Sequence, residues 1–255
     1  MSTSAVTPTR ILLVTGGSRG IGAATSVRAA RAGWDVAINY TRDATAAEAV
    51  AAEVRALGRR AMVVQADVAE EAQVLAMFAA VDASWGRVTG LVNNAGVVDL
   101  PARVDEMSIQ RLQRMWAVNI TGSFLCAREA LKRMSRRHGG PGGAIVNLSS
   151  AAARLGSPNQ YVDYAASKGA IDTFTLGLAR EVAAEGVRVN GVRPGIIDTD
   201  IHASGGQPDR AAQLAPSVPL QRAGTSEEVA AAIVWLLSDE ASYATGTTID
   251  VTGGR

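Results

Sequence analysis

Ile11-Leu12-Leu13-Val14-Thr15-Gly16-Gly17-Ser18-Arg19-Gly20-Ile21-Gly22 is the stretch of sequence that decides the fold. Its first four residues are a short continuous apolar run, as expected for a strand buried on both faces of a sheet. Glycines then follow with the spacing Gly-x3-Gly-x-Gly, and an Ala-rich helical segment begins. Glycines let the backbone approach a pyrophosphate, and the free N–H groups at a helix start bind the anion. We therefore predict a phosphate-binding loop, with a simple glycine-rich turn as the alternative.

Strand-like and helix-like segments alternate on both sides of this loop. The predicted strands are 11–14, 36–39, 61–65, 88–92, 144–148, 187–192 and 247–251. The predicted helices are 21–32, 44–57, 70–85, 108–137 with a kink at Gly122, 162–184 and 226–237 with Thr225 or Ser226 as its cap. This alternation predicts an α/β protein with a Rossmann-type, doubly wound parallel sheet of seven strands. With helices on both faces, it is a three-layer α/β/α single domain spanning residues 1–255.

The composition fits a globular protein and excludes several classes of function. Of the 255 residues, 47% are hydrophobic and 19% are charged, which is typical of a globular protein with a large core. The formal net charge is +1, so no overall field would attract nucleic acid or an anionic membrane. His138 and His202 lie in loop-like sequence, away from any cluster at ligand spacing, so we expect no metal site.

The single cysteine and the apolar runs bear on the compartment. Cys126 is alone, so no internal disulfide is possible and a reducing compartment fits. Its apolar helical surroundings indicate a small core residue rather than a nucleophile. The apolar run after the polar segment 1–10 is too short for a signal peptide, and 229–237 is about half the length that spans a bilayer. We therefore expect a cytoplasmic protein without a membrane partner.

Residues 199–224 are the one long irregular segment. They are rich in Gly, Pro, Ser and Gln, with one short helical patch. A mobile loop is the prediction, and long loops of this kind are often lids that close over substrate. The apolar residues in the segment suggest that it closes over a partly apolar pocket; they are Ile201, Leu214, Val218 and Leu220.

The end of the second strand predicts which dinucleotide binds. Enzymes that use NAD often place an acid there, on the ribose 2′-OH, but this sequence has Tyr40, Thr41 and Arg42. Asp43 lies too far along, whereas Arg19 of the glycine loop can reach the same region. Arginines without a carboxylate suit a 2′-phosphate, so we favour NADP(H) over NAD(H). Arg42 as a plain solvated charge is the alternative.

Tyr164 and Lys168 are four residues apart and share one face if 164–177 is helical. A tyrosine hydroxyl has an ordinary pKa of about 10. A neighbouring ammonium favours the phenolate and lowers that pKa, which makes the tyrosine a usable proton donor and acceptor near neutral pH. The alternative is a half-packed tyrosine beside a solvated lysine.

Seven motifs, each on its expected element, resemble those of one family. They are Thr15-Gly16-x3-Gly20-Ile21-Gly22, Asp67-Val68 after the third strand, Asn93-Asn94-Ala95-Gly96 after the fourth, Asn119 in the long helix, Ser150 after the fifth strand, Tyr164-x3-Lys168, and Arg193-Pro194-Gly195 after the sixth. The chain resembles the short-chain dehydrogenase/reductases over essentially its whole length. The resemblance implies an NAD(P)-dependent oxidoreductase acting on CH–OH and C=O groups.

The resemblance also implies a set of cofactor contacts. Asp67 and Val68 resemble the adenine contacts, and the turn from Asn93 to Gly96 resembles the one that packs against the cofactor. The segment 194–199 resembles the one beside the nicotinamide, with Thr199 near its carboxamide. The residues expected to bind the cofactor are Gly16, Ser18, Arg19, Gly20, Ile21, Gly22, Tyr40, Thr41, Arg42, Asp67, Val68, Asn94, Ala95, Gly96, Tyr164, Lys168, Pro194, Gly195, Ile197 and Thr199.

Four residues resemble the family's catalytic tetrad. Ser150 resembles the serine that hydrogen-bonds the substrate oxygen, and Tyr164 the proton donor in reduction. Lys168 resembles the lysine that holds the nicotinamide ribose and depresses the tyrosine pKa. Asn119 resembles the anchor of a water that relays protons from the lysine to solvent, and a distorted helix near Gly122 would free a carbonyl for that water. An ordinary asparagine on a helix face is the alternative for Asn119.

One spacing departs from the family. Ser150 precedes Tyr164 by 14 residues, one more than is usual, and the extra residue lies in 156–163, a loop that would border the substrate. Ser149 is the fallback for the serine role, although alternation along the strand would point it the other way. Tyr161 does not compete with Tyr164, because position 165 is alanine.

The expected reaction is hydride transfer between the nicotinamide and the carbon of a ketone or secondary alcohol, with Tyr164 handling the proton. Alternatives within the family are a sugar (glucose) dehydrogenase or a 3-oxoacyl-acyl-carrier-protein reductase. A catalytically silent NADP(H) sensor on the same fold is the alternative from another class. The resemblance implies a homotetramer or dimer, with the helices 108–137 and 162–184 pairing across an interface.

An acidic carrier-protein partner would require a basic patch at the entrance of the site. The candidate residues for such a patch are Arg103, Arg111, Arg114 and Arg154.

Overall fold

The computed structural model describes residues 10–255, except for the side chain of His202. The sequence interpretation of residues 1–9 therefore lies outside the described residues. Seven parallel strands form one sheet in the order β3-β2-β1-β4-β5-β6-β7. The strands are β1 (Ile11–Val14), β2 (Asp35–Tyr40), β3 (Ala61–Gln65), β4 (Gly90–Asn93), β5 (Gly143–Leu148), β6 (Val187–Pro194) and β7 (Thr248–Val251).

Helices connect the strands and cover both faces of the sheet. The helices are α1 (Gly20–Arg31), α2 (Ala44–Ala56), α3 (Glu71–Trp85), α4 (Ile109–Trp116), α5 (Gly122–Met134), α6 (Ala152–Leu155), α7 (Val162–Val182), α8 (Ile201–Ser204), α9 (Arg210–Leu214) and α10 (Ser226–Leu237). The predicted doubly wound α/β fold is therefore confirmed. In the described part of the chain, no helix is both long enough and apolar enough to cross a bilayer.

The alternation of side chains along β1 divides the core into two layers. Ile11 and Leu13 pack with residues of α3, α5 and α7, including the fully buried Cys126. Leu12 and Val14 pack with residues of α1, α2 and α10 on the other face. Neighbouring side chains of a strand point to opposite faces, so an apolar run such as 11–14 fits only a strand covered on both sides.

The predicted helix 108–137 is interrupted. A turn of π-helix at Ala117–Thr121 separates α4 from α5, and a short 3-10 turn follows at Arg136–His138. Gly122 begins α5 where a Cβ would lie 2.7 Å from Cγ2 of Val68. The chain therefore passes close to the loop after β3 at this point, and the extra residue of the π turn carries Asn119 toward the interior.

Residues 199–224 also contain more helix than the sequence suggested. The segment holds α8, α9 and a 3-10 turn at Ala215–Ser217. At its end, Thr225 caps α10 in a reciprocal capping box with Glu228, which confirms Thr225 rather than Ser226 as the cap. The segment leaves the sheet after β6 and returns to it at α10, so it lies over the carboxyl ends of the strands.

Candidate active site

The glycine loop after β1 has the geometry that close approach to a ligand requires. Gly16 has a φ of +60°, in the left-handed region that glycine adopts most readily. A Cβ on Gly22 would lie 2.3 Å from the carbonyl oxygen of Gly16, so no larger residue fits there. Oδ1 of Asn39, at the end of β2, accepts the N–H of Gly16 at 3.1 Å. Asn39 was not predicted, although a polar residue inside an apolar strand was the available signal.

The turn after β4 is fastened to this loop. Oγ1 of Thr15 accepts the N–H groups of Asn94 and Ala95, each at 3.0 Å. Nδ2 of Asn94 donates to the carbonyls of Thr15 and Gly16, each at 2.9 Å. The polar groups of the turn thus hold the phosphate loop in place, which is a positioning role that the sequence left undefined.

Two arginine side chains lie near the end of β2, and the carboxylate of Asp43 there already has a hydrogen-bonding partner. Arg42 and Arg19 are exposed, and neither forms an ion pair with any residue in the range 10–255. Oδ1 of Asp43 accepts the N–H of Ala46 at 2.9 Å as the cap of α2, so this carboxylate is engaged by its own helix. The arrangement fits a ligand with an extra phosphate at this end of the sheet.

In the loop after β3, the groups accessible to a ligand are mainly backbone atoms. Oδ1 of Asp67 accepts the N–H of Ala69 at 3.0 Å, which closes a tight turn. The side chain of Val68 is buried against Gly122. A ligand at this position would therefore meet the Asp67 carboxylate and the backbone of Val68, because the valine side chain belongs to the core.

One cavity of about 180 Å³ lies above the carboxyl ends of the strands. Ligands of open α/β sheets bind in crevices of this kind. From the predicted site, the cavity is lined by Ile21, Asn94, Gly96, Ser150, Tyr164, Lys168, Pro194, Gly195, Ile197 and Thr199. The side chain of Thr199 also approaches the phosphate loop, since a Cβ on Gly20 would lie 3.4 Å from its Cγ2. The structure thus brings ten of the predicted residues into one cavity.

Tyr164 and Lys168 lie together on α7, but their electrostatics differ from the expectation. Burial raises the pKa of Tyr164, and a hydrogen bond with Ser150 lowers it in part. Lys168 Nζ donates to the carbonyl of Leu148 at 2.6 Å and lies 5.7 Å from the centroid of the tyrosine ring. The expected depression of the tyrosine pKa by the lysine is therefore wrong for this structure, because desolvation of the hydroxyl dominates.

Lys168 itself is poorly solvated. Burial lowers its pKa to about 8, and the charge of Asp172 opposes that shift. The ammonium lies in the interior with one backbone carbonyl as its hydrogen-bonding partner. This environment leaves donor capacity on Nζ for a further acceptor in the cavity.

The two serines after β5 have different partners. Oγ of Ser149 donates to the backbone carbonyl of Lys168 at 3.1 Å, and the residue is buried. Oγ of Ser150 accepts the N–H of Ala152 at 3.1 Å and also interacts with Tyr164. The hydroxyl of Ser149 is thus committed to α7, while that of Ser150 adjoins the tyrosine.

Asn119 is held by the loop after β4. Its Oδ1 accepts the N–H of Val97 at 2.8 Å, and its Nδ2 donates to the carbonyl of Val97 at 3.0 Å. A Cβ on Gly96 would lie 3.5 Å from Oδ1 of Asn119 and 3.6 Å from Nζ of Lys168. The backbone carbonyl of Asn119 accepts the Ser123 hydroxyl at 3.3 Å. Asn119 therefore lies beside the lysine, with polar groups already engaged.

Some sequence expectations around the cavity are not met. Of the apolar residues in 199–224, Ile201 lines the cavity, whereas Val218 is buried elsewhere and Leu220 is 63% exposed. The candidate basic patch is largely paired with carboxylates. The pairs are Arg103 with Asp105, Arg111 with Asp163, and Arg154 with Asp250. Only Arg114 of the four is exposed without an ion pair in residues 10–255.

A family model described as enoyl-(acyl carrier protein) reductase matches residues 16–255. A short-chain type dehydrogenase/reductase from Mycobacterium marinum superposes with a TM-score of 0.89 and 34% identity, covering 96% of this chain and 94% of that one. The chain belongs to the short-chain dehydrogenase/reductase family. The protein is therefore an oxidoreductase that acts on CH–OH or C=O groups with a nicotinamide cofactor.

Curated relatives within the short-chain dehydrogenase/reductases have different substrates in their names. An uncharacterized oxidoreductase, YgfF, of Escherichia coli (strain K12) is 55% identical over 96% of this chain and 99% of its own length. A 3-oxoacyl-[acyl-carrier-protein] reductase of Synechocystis is 39% identical, covering 96% of both chains. A 3beta-hydroxysteroid dehydrogenase 1 of Eggerthella lenta is also 39% identical, covering 96% of this chain and 93% of its own.

One solved structure of a similar protein contains a cofactor. A blue fluorescent protein from a metagenomic library, in complex with NADPH, has a TM-score of 0.87 and 35% identity, covering 96% of this chain and 97% of that one. Equal identity to a carrier-protein reductase and a steroid dehydrogenase means that similarity alone does not select a substrate for this chain.

Proposed function

We propose that the protein is an NADP(H)-dependent carbonyl reductase that interconverts ketones and secondary alcohols. The observation that carries the proposal is the shared cavity, in which Ser150, Tyr164 and Lys168 meet the phosphate loop and Thr199. When bound, the nicotinamide supplies or accepts the hydride. The chain supplies binding, orientation and the proton.

The proposed cofactor contacts are supported by the shape and charge of the loop. Gly16 and Gly22 allow the close packing of the loop against itself and the turn after β4, and the loop leads directly into α1, where the free N–H groups attract an anion such as a pyrophosphate. Arg19 and Arg42 suit a 2′-phosphate, since Asp43 is engaged as a helix cap. We therefore propose NADP(H), with Tyr40, Thr41, Asp67, Val68 and the segment 194–199 completing the site.

The proposed proton route begins at Tyr164. Because burial raises its pKa, the hydroxyl stays protonated near neutral pH and can donate to a carbonyl oxygen as negative charge develops there. Ser150 would hydrogen-bond the same oxygen and stabilise the alkoxide character of the transition state. Lys168 would orient the ribose, with Asn119 beside it, and replenish the proton from the solvent side.

Residues 199–224 are proposed to form the lid over substrate, and the cytoplasm is the proposed compartment, consistent with a single unpaired cysteine. We also propose a homotetramer. Its support is a set of exposed apolar side chains on α4, α5 and α7, namely Ile109, Trp116, Phe124 and Leu176. Phe124 stacks on Phe174 with ring centroids 3.8 Å apart, which gives α5 and α7 one continuous apolar face.

The test is oxidation of NADPH by purified protein with a panel of aliphatic, aromatic and sugar-derived ketones. We expect turnover with at least one class of ketone and a loss of about 10²- to 10⁴-fold in kcat for Tyr164→Phe, with NADPH binding retained. Tyr243→Phe is the matched control, because it removes the hydroxyl of a fully exposed tyrosine that does not line the cavity. Cofactor binding without turnover on any ketone would instead favour a silent NADP(H) sensor.

A further inference from the structure

Arg210 occupies the substrate side of the cavity without a carboxylate partner. It is the first residue of α9, is half-buried and lines the cavity. Its guanidinium donates to Oε1 of Gln207 at 2.6 Å and to Oε1 of Gln160 at 2.8 Å. It also lies over the ring of Tyr161, with Cζ 5.1 Å from the ring centroid. In the described residues, every polar contact of Arg210 is thus with a neutral group.

A neighbouring arginine shows the usual alternative. The side chain of Arg111 is 9% exposed, and it forms two hydrogen bonds with the carboxylate of Asp163, at 2.7 and 3.1 Å. A buried cation is normally paired in this way, because removing its charge from water is costly. Arg210 differs, because it lines a cavity and its guanidinium is held by neutral amides.

The cavity as a whole is cationic. The charged residues that line it are Lys168, Arg210 and Arg255, and no Asp or Glu from residues 10–255 takes part in the lining. Lys168 belongs to the proposed cofactor and proton machinery. The phosphates of a cofactor would meet the glycine loop and Arg19, on another part of the site. Arg210 therefore has no anion assigned to it.

The position of Arg210 relative to the proposed proton donor sets the reach of a ligand. Its ring contact, Tyr161, lies three residues before Tyr164, and the carbonyl of Tyr161 accepts the N–H of Ala165 at 2.9 Å. Arg210 and Tyr164 both line the one cavity, so a single ligand there can contact both residues. A series of oxo acids of different chain length measures the separation between the carbonyl carbon and the anionic group.

We infer that Arg210 is a specificity-determining residue that binds an anionic oxygen group of the substrate, so that oxo acids are preferred over neutral ketones. The inference rests on the proposed carbonyl reductase function and names its substrate class. A carboxylate or a phosphate has the planar or clustered oxygens that a guanidinium fork recognises. Gln160 and Gln207 orient the Arg210 guanidinium, and the substrate anion accepts hydrogen bonds from its remaining N–H groups.

The competing explanation is that Arg210 only fastens the lid. Gln160 belongs to the loop 156–163, in which Ser157 and Asn159 have φ values of 46° and 59°. The contact between Arg210 and Gln160 joins this left-handed loop to α9. A purely structural contact would affect every substrate equally, whereas an anion site would discriminate by charge, and this difference is measurable.

The experiment compares 3-oxobutanoate, 4-oxopentanoate and 5-oxohexanoate with their methyl esters, and 2-oxopropylphosphonate with its diethyl ester. For wild-type protein, we expect kcat/KM to favour at least one acid over its ester by about tenfold to a hundredfold. In Arg210→Gln this preference should disappear, with ester kcat/KM changed less than about threefold. Arg210→Lys should recover part of it. Arg103→Gln, which removes an exposed cation outside the cavity, should retain the preference.

The outcomes separate the inference from the function on which it rests. Two results would overturn the inference and leave the proposed reductase function standing. One is an equal loss of kcat/KM for acid and ester in Arg210→Gln. The other is wild-type reduction of neutral ketones without any preference for the acids. An Arg210-dependent preference for the carboxylate series or for the phosphonate identifies the anion. If no ketone is reduced, thermal stabilisation of the NADPH complex by 5-oxohexanoate or the phosphonate decides the matter. Absence of an Arg210-dependent shift with either anion then overturns the inference.

Discussion

Lys168 shows how a single buried charge can favour function at the expense of stability. Its ammonium is in the interior, and burial lowers its pKa to about 8 from an ordinary 10.5. In the unfolded chain the same group is fully hydrated. Folding at neutral pH therefore has to desolvate a charge that the proposed chemistry requires.

We expect Lys168→Met to raise the melting temperature of the cofactor-free protein while abolishing turnover. The unfolded chain binds a proton between about pH 8 and 10.5 that the folded protein has lost, so wild-type stability rises with pH across this window. The difference in melting temperature between the methionine variant and the wild type should therefore be constant below pH 8 and become smaller toward pH 10.5. Thermal unfolding of both proteins from pH 7 to 10 measures this, and parallel curves throughout would contradict it.

Arg42 tests the preference for the phosphorylated cofactor at the scale of one side chain. Its guanidinium has no ion-pair partner among residues 10–255, so a 2′-phosphate would gain a charge-assisted hydrogen bond from it. We expect Arg42→Ala to raise KM for NADPH about tenfold to a hundredfold and to change KM for NADH less than about threefold. Arg31→Ala, at the far end of α1, is the control, and a similar rise for both cofactors would argue against the assignment.

At the scale of residues, the sequence predicted side chains that belong to recognisable motifs. It did not predict side chains whose role depends on hydrogen bonds to distant parts of the chain. Strand alternation favoured Ser150 over Ser149, and the side chain of Ser149 is indeed turned to the carbonyl of Lys168. Asn39 and Arg210 were not predicted. Their significance comes from hydrogen bonds to residues 23 and 50 positions away, and no local pattern encodes such distant pairs.

At the scale of elements, the ion pair of Arg111 and Asp163 fastens α4 to the start of α7. The carboxylate is buried, the guanidinium is 9% exposed, and Arg111 also donates to the carbonyl of Leu100. Asp163 is next to Tyr164 in sequence, and the pair joins this end of α7 to α4. It therefore positions the first turn of α7, from which the proposed proton donor extends.

We expect Arg111→Met to destabilise the protein by about 3–5 kcal/mol, because it leaves the Asp163 carboxylate buried without a counter-charge. The double variant Arg111→Met with Asp163→Leu should recover most of that loss, since no unpaired charge remains. Arg103→Met, in an exposed pair, should cost no more than about 1 kcal/mol. Denaturant unfolding of the three variants measures these differences, and equal losses in the single variants would contradict the argument.

Element boundaries were predictable wherever hydrophobic periodicity was regular. The strand 61–65 and the helix 226–237 agree with the structure residue for residue. The helix 108–137 was not predictable in detail, because its π turn lies beside a tertiary contact of Gly122 with Val68, which no local pattern encodes. One short helical patch was predicted in 199–224, where the structure has the two helices α8 and α9, because segments of four and five residues have little periodicity to read.

At the scale of the whole molecule, the apolar face formed by α5 and α7 predicts assembly. Phe124 is 47% exposed although it stacks on Phe174, and an exposed apolar patch of this kind marks an interaction surface. We expect Phe124→Asp to reduce the solution mass from tetramer to a smaller species in light scattering after size exclusion. Leu57→Asp, at the end of α2 in the other helical layer, should leave the mass unchanged. A wild-type monomer would refute the proposed tetramer directly.

The overall topology was predictable because it depends on few and regular signals. Seven apolar runs separated by helical segments predict a parallel sheet, and the rule that crossover connections are right-handed leaves few other topologies. The cavity was predictable only in part. The carboxyl ends of parallel strands meet at one edge, which locates the phosphate loop and the turn after β4 together. The substrate side depends on loops 156–163 and 199–224, whose left-handed residues and amide contacts follow from no periodic pattern.

Chemical labelling of Cys126 can report local unfolding of the core around α5. It is the one cysteine in the sequence, it is fully buried between α5 and the sheet, and burial raises the pKa of its thiol to about 12. Thiol reagents attack the thiolate, so they should modify the native protein only during excursions that separate this helix from the sheet. The labelling rate, measured with and without NADPH, would then show whether cofactor binding slows the breathing of the core.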